Sequence, residues 1–288
     1  MAKKDKVYKY IIDALEKGTV PWRRPFLPMT SGYGHQYRGI NKLVLNISAQ
    51  NGGYKSPVWF TFKKAKELGG KVRKGEKGTA IFYYAKGEYE DDDGNKQNYM
   101  SQRVYHVFNK EQVEWDPEMN NYENFIDDKE FHNREHDSAM DICSEYLYRE
   151  KLKVTHVPGS AYYSPTKDYI NVPDPKALVT YDDYYPILFH EMAHSTGAKD
   201  RLDRDGITKP NNFGSHEYSQ EELVAEMTSA YLCGRTNWNV PQLDQSAAYI
   251  QSWLKVLDGN KEILQKAASE AEKAYEFILG KEQQHEQE

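Results

Sequence analysis

His190-Glu191-Met192-Ala193-His194 follows the apolar run Ile187-Leu188-Phe189 and precedes Gly197, so the stretch reads as one short helix with a stop signal behind it. Asp182 or Asp183 can cap that helix, with Pro186 in its first turn. Side chains four apart on a helix differ by about 40° in direction, so both imidazoles can reach one ion, and Glu191 lies about 100° round, beside it. Two histidines and an adjacent carboxylate at this spacing point to a metal centre. There the acid accepts a proton from the attacking water and later delivers it to a leaving amine, which is the chemistry of peptide hydrolysis. With 9 His in 288 residues, chance would supply such a pattern only about 0.02 to 0.03 times per chain.

A catalytic zinc needs a third protein ligand and one open position. The stretch Glu221-Glu222-Leu223-Val224-Ala225-Glu226 resembles the second helix of thermolysin-like gluzincins. That resemblance implies Glu222 as the ligand and Glu226 as the acid that accepts an N–H from a ligand histidine. Residues 194–200 also fit the metzincin spacing, which makes Asp200 a rival, and Glu226 itself is a third option. The expected cofactor is Zn2+, held by His190, His194 and Glu222, with Glu191 as the catalytic acid-base. The run 168–172 reads as a core strand or as the edge strand along which an extended peptide lines up. With 23 Tyr in the chain, spacing does not single out the donor that would stabilise a tetrahedral oxyanion.

Outward from this site the charge is divided. Residues 1–110 hold 21 Lys and Arg against 10 Asp and Glu, whereas residues 111–288 hold 17 against 34, so +11 and −17 make up the net −6. A basic half of this kind suits a polyanion, because each phosphate neutralised releases counterions. Two cysteines, Cys143 and Cys233, exclude a disulfide framework and a thiolate cluster, and both read as small buried hydrophobes. No apolar run approaches the roughly 20 residues of a membrane span, so a cytoplasmic protein without a membrane partner is expected.

The pattern predicts helices over 7–17, 40–50 and 62–68, and strands over 59–61, 79–84 and 102–108 around the turn Asp91-Asp92-Asp93-Gly94-Asn95. Residues 109–128, acidic and without period, read as a linker. Beyond them come a helix over 134–148, strands over 153–156 and 168–172, the helix of His190, and helices over 216–234, 243–257 and 261–279. The expected fold class is therefore α+β in two domains, 1–125 and 126–288. The first is a small basic α+β domain, the second mainly helical with a small sheet.

Two blocks of sequence resemble the ArdC-type antirestriction proteins of conjugative plasmids and transposons. In the first half these are residues 18–26 (Gly-Thr-Val-Pro-Trp-Arg-Arg-Pro-Phe), 37–41, 59–62 and 69–78. In the second half they are residues 190–197, 201–205 and 221–226. The resemblance covers nearly the whole chain. It implies an N-terminal domain that binds single-stranded DNA, a zincin-like metallopeptidase domain behind it, and a role in protecting transferred DNA from host restriction. The basic half is consistent with this: cations track a strand's backbone while aromatic faces stack on its bases. Trp22 with Arg23 and Arg24, Tyr37 with Arg38, and Trp59 with Lys63 combine the two types, and Lys71, Arg73, Lys74 and Lys77 sit in a Gly-flanked turn suited to phosphate. The protein substrate is not specified by any motif. The alternative is a DNA-binding shield whose zinc domain is structural only.

Overall fold

Thr79–Glu90 (β4) and Lys96–Asn109 (β5) form a long antiparallel hairpin, paired residue by residue from Thr79 opposite Val107 to Glu90 opposite Lys96. The computed structural model describes residues 4–22, 25–90, 96–116, 138–174, 183–209, 216–238, 247–258 and 260–281. Two compact units divide the chain. Met1–Ala14, Pro28–Tyr37 and Val44–Asn133 make the first; Leu15–Leu27, Arg38–Leu43 and Arg134–Glu288 make the second.

In the first unit β5 pairs with β2 (Val58–Thr61), and β2 runs parallel to the short β1 (Thr30–Ser31), giving the order β1-β2-β5-β4. Strand periodicity sends alternate residues to opposite faces. Trp59, Ile81 and Val107 face one way and pack with Met29 and with Leu45 and Ala49 of α2 (Gly39–Gly52). Phe82 faces the other way, against Tyr8 of α1 (Asp5–Glu16), with ring centroids 5.6 Å apart. Thr61 caps α3 (Phe62–Glu67) by accepting from Lys64 N, and Ala65 and Leu68 close a second cluster with Val58, Phe60 and Val113.

The stretch expected to be a linker is ordered at its start. Asn109 and Gln112 cap a short 3-10 turn reciprocally, and Val113–Trp115 (β6) then pairs with Gly70–Val72 (β3). A strand of three residues has no readable period, and its partner lies some forty residues away in sequence, so the acidic composition concealed it. The acidic turn 91–95 and most of the expected linker lie outside the described residues.

The second unit carries α4 (Ala139–Arg149), β7 (Lys153–Thr155), β8 (Tyr162–Ser164), β9 (Tyr169–Asn171), α5 (Tyr184–Ser195), α6 (Asp205–Thr208), α7 (His216–Thr236), α8 (Ala247–Leu257) and α9 (Glu262–Ile278). Its sheet order is β7-β9-β8. Within the run 168–172, β9 is the central strand, hydrogen-bonded on both sides, which agrees with the core-strand reading and not with the edge-strand alternative. Ile170, Phe189, Met192, Leu232 and Ile278 join one core with Cys143 and Cys233. Burial pushes both thiols up to about 12, as expected of inert packing residues.

Leu223, Val224, Ala225, Met227 and Ala230 of α7 are fully buried. The facing positions on α9 include Ala267, Ala268, Ala271 and Ala274, also buried, and Thr228 Oγ1 reaches Ala271 O at 3.3 Å. Small side chains let the two backbones come this close. The unit also incorporates the early segment: Phe26 N donates to Ala230 O, and a Cβ on Gly234 would collide with Phe26 O. Among the described residues no helix is long and apolar enough to cross a membrane.

Candidate metal centre and nucleic-acid surface

The helix α5 brings His190 and His194 onto one side with Nε2 atoms 3.1 Å apart and rings nearly perpendicular, at 83°. From α7, Glu222 presents Oε2 at 3.6 Å from His190 Nε2 and Oε1 at 3.7 Å from His194 Nε2. Three ligand atoms from His190, His194 and Glu222 lie within 4.8 Å of one another. Ligand atoms around a tetrahedral zinc with bonds of 2.0–2.1 Å stand about 3.3 Å apart, so two imidazoles and one carboxylate fit such an ion and leave a fourth position. Asp200, exposed beyond the helix end, is not in this cluster.

The electrostatics follow from the crowding. Burial pulls the His190 pKa down, but the Glu222 hydrogen bond and the charges of Glu191, Glu222 and Glu226 outweigh it, and the imidazole rises to about 9. Burial likewise raises Glu222, yet the two histidines and a hydrogen bond from Tyr218 hold it at about 2. Glu191 is buried, at 6% exposure. Tyr218 lies one turn before Glu222, and burial, reinforced by Glu222, lifts its phenol to about 12, so the O–H stays a donor at neutral pH.

Glu221, the residue before Glu222, holds His194 in place. Its Oε1 lies 3.1 Å from His194 Nδ1, the ring nitrogen turned away from the cluster. For His194 this replaces the role expected of Glu226, which accepts from Tyr249 instead. Arg204 secures Glu221 with two bonds, Nε to Oε2 at 2.8 Å and Nη2 to Oε1 at 2.7 Å. The same guanidinium donates to Thr196 Oγ1 and to Ala193 O on α5. Such a fork suits Arg and not Lys, whose ammonium is a point charge.

Gly197 was expected to end the helix through its conformational freedom, but its requirement is space: a Cβ there would sit 2.6 Å from Ile207 and 2.9 Å from Arg204. At the N-terminus Asp183 occupies the cap position without a side-chain cap bond, and Asp182 lies outside the described residues. A second buried arginine ties the helix to the sheet: Arg201 clasps Asp168 at 2.8 and 2.9 Å and reaches Glu150 and Ser195 O.

Sequence spacing missed Glu221, Arg204 and Tyr218. Glu221 neighbours Glu222 in sequence, but only the packing of α5 on α7 decides which of three nearby acids faces His194.

The DNA-binding candidates disperse. Trp22 is fully buried, edge-on to Trp253 with centroids 5.5 Å apart, and Trp59 is fully buried in the first unit's core. Neither offers a face to a base, which corrects the stacking role expected of them. A tryptophan flanked by arginines reads as a stacking platform, but burying so large an apolar surface is the stronger drive. Arg38 belongs to the second unit and pairs with Glu276 at 2.8 Å. Arg23 and Arg24 lie outside the described residues. Lys63, Lys71, Arg73, Lys74 and Lys77 are exposed in the first unit, Arg73 paired with Glu76 and Lys63 within 3.8 Å of Glu67.

Comparison with known proteins places this geometry in a family. Residues 143–270 match a family of zincin-like metallopeptidases, and residues 2–113 match the N-terminal domain of anti-restriction factor ArdC. The metal-free crystal structure of the antirestriction protein ArdC from plasmid R388 is similar over 95% of both chains, with a TM-score of 0.76 at 37% identity. The chain belongs to the ArdC family of antirestriction proteins. The Mn(II)-bound structure of the R388 protein gives the same TM-score at 35% identity over 97% of each chain. Two proteins named DNA primase TraC from Escherichia coli are 32% and 33% identical over 99% and 98% of this ArdC-family chain, which spans only 28% and 20% of their length. Protein y4eC of Sinorhizobium fredii is 29% identical over 95% of this chain and 90% of its own.

Proposed function

We propose that this ArdC-family protein binds single-stranded DNA through its basic first half, about residues 1–125, and hydrolyses peptide bonds at a zinc centre in residues 126–288, acting in the cytoplasm to protect transferred DNA. The observation that carries the peptidase reading is the convergence of His190, His194 and Glu222 beside a buried Glu191. A bound metal supplies a Lewis acid that polarises a peptide carbonyl and acidifies water. Glu191 takes the proton of the attacking water and returns it to the departing amine. Glu222 and the two imidazoles would hold the ion, Glu221 and Arg204 fix the tautomer and angle of His194, and the Tyr218 hydroxyl, which donates to Glu222, steadies that carboxylate.

Support for the DNA reading is the charge split and the similarity of residues 2–113 to the ArdC N-terminal domain. DNA is then a tether: proteins bound to the same strand gain local concentration, as in any linked pair of sites. The experiment compares wild type with Glu191→Gln, incubated with a single-strand-binding protein with and without single-stranded DNA, followed by mass spectrometry of fragments. Fragments that require both Glu191 and DNA support the reading. Protection of DNA that survives Glu191→Gln, without fragments from a broad substrate set, would instead establish a shield with a structural metal.

A further inference from the structure

The β4–β5 hairpin outruns the core that it starts from. At its root Ile81 and Val107 are buried with Trp59, whereas two residues further along each strand the same face carries Tyr83 and Tyr105, 47% and 41% exposed. Their rings lie 5.0 Å apart at 48°. Arg103, directly opposite Tyr83 in the register, is exposed between them and the outer hairpin. A ribbon that needed only solubility would carry small polar and charged side chains on its solvent face. Exposed large aromatic residues on such a surface mark an interaction site.

The charge pattern selects the occupant. Residues 79–87 and 99–107, the inner part of both strands, contain Lys86, Arg103 and His106 and no acid. Along β4 the first acid is Glu88, followed by Glu90. Immediately before β4, the turn bearing Lys74 and Lys77 leads into Thr79, about 13 Å of strand from Tyr83. Neutral aromatic faces with cations along the same strands, and no acid within those stretches, are the combination that holds unpaired bases.

The outer pair, Tyr89 and Tyr99, has a different explanation. Tyr99 covers Gly87 so closely that a Cβ there would stand 2.5 Å from the ring, and Glu88 and Glu90 flank Tyr89. Tyr84, on the opposite face, is held by Gln102 at 3.0 Å.

We propose that Tyr83 and Tyr105, with Arg103 on a neighbouring phosphate, form the base-stacking platform of this protein for single-stranded DNA. The proposal rests on the reading of the basic half as a single-strand binder and assigns that function to a surface with no tryptophan in it. The test uses the full-length protein and a fluorescein-labelled oligothymidylate in anisotropy titrations. Tyr83→Ala/Tyr105→Ala should bind at least roughly tenfold more weakly, and Tyr83→Phe/Tyr105→Phe should restore affinity, because stacking needs the ring and not the hydroxyl. Tyr148→Ala, which removes an 88% exposed tyrosine of the second unit, should change nothing. In the wild type, photocrosslinks from a 5-bromouracil strand should map to residue 83 or 105.

If wild type binds and the alanine pair binds equally well, with crosslinks elsewhere, the platform is wrong while the single-strand reading stands. If the phenylalanine pair is as weak as the alanine pair, hydroxyl hydrogen bonding replaces stacking and the platform is likewise overturned. If wild type fails to bind the oligonucleotide, the reading beneath it fails as well.

Discussion

The surroundings of His194 and the solvent face of the β4–β5 hairpin treat polar and aromatic groups in opposite ways. Beside His194, Arg204 and Glu221 are buried and fix each other: they are 6% and 5% exposed and share two bonds. On the hairpin, Tyr83, Tyr105 and Arg103 stand in solvent. The difference suits what each region is proposed to hold. A metal ion tolerates deviations of tenths of an ångström, so its ligands need a rigid surround. A flexible strand is held by many weak contacts, so its platform can remain solvated and adaptable.

The largest expected effect breaks the rigid side outright. His190→Ala/His194→Ala should retain no metal by elemental analysis, while its affinity for single-stranded DNA stays at the wild-type level. Glu191→Gln should keep the metal and lose about 10² to 10⁴ in hydrolysis rate, the range of general acid-base catalysis.

Next in size is the buried lock. Arg204→Met leaves Glu221 charged, buried and without its fork, which should cost about 3–5 kcal/mol in denaturant unfolding, with weakened metal binding as a second readout. Losing an exposed cation such as Lys74 should alter stability by no more than about 0.5 kcal/mol.

The pH dependence of the metal-free protein sharpens the comparison further. His190 is raised to about 9 in the folded chain, so its pairing with Glu222 stabilises fully below about 6.5 and is lost as pH rises through 9. Glu222, held at about 2, adds a loss in acid as pH falls from about 4.5 toward 2. These are two ends of one interaction, worth on the order of 2 kcal/mol. Metal-free protein should therefore melt lower at pH 9.5 than at pH 7, whereas metal affinity should rise over the same interval because the His190 imidazole loses its competing proton. An unchanged melting temperature would show that His190 is already neutral at pH 7.

The smallest effect belongs to the open surface. Lys71→Gln/Lys74→Gln/Lys77→Gln should leave folding untouched and lower the salt dependence of single-strand binding by about 0.7 in log–log slope for each phosphate that is no longer neutralised. A slope equal to the wild type's would place the cations that hold the backbone elsewhere.

Periodicity was enough for the long helices. The expectation over 216–234 corresponds to His216–Thr236, and that over 261–279 to Glu262–Ile278. The four-residue spacing of His190 and His194 was legible because a helix converts sequence separation directly into direction, and the acid pattern around Glu222 was legible for the same reason. Sequence alone also determined the charge division and the absence of any cysteine framework. Three-dimensional packing decided the rest. Which acid faces His194, and that Arg204 would secure it, depend on how α5 crosses α7, and no spacing encodes that angle. Residues 15–27 pack with the second unit because Val20, Trp22 and Phe26 bury there. Tyrosines scattered through β4 and β5 became one surface only when the register set Tyr83 opposite Arg103 and Ile81 opposite Tyr105. Local sequence fixes the direction of a side chain within its element, but what that direction meets is decided by elements distant in sequence.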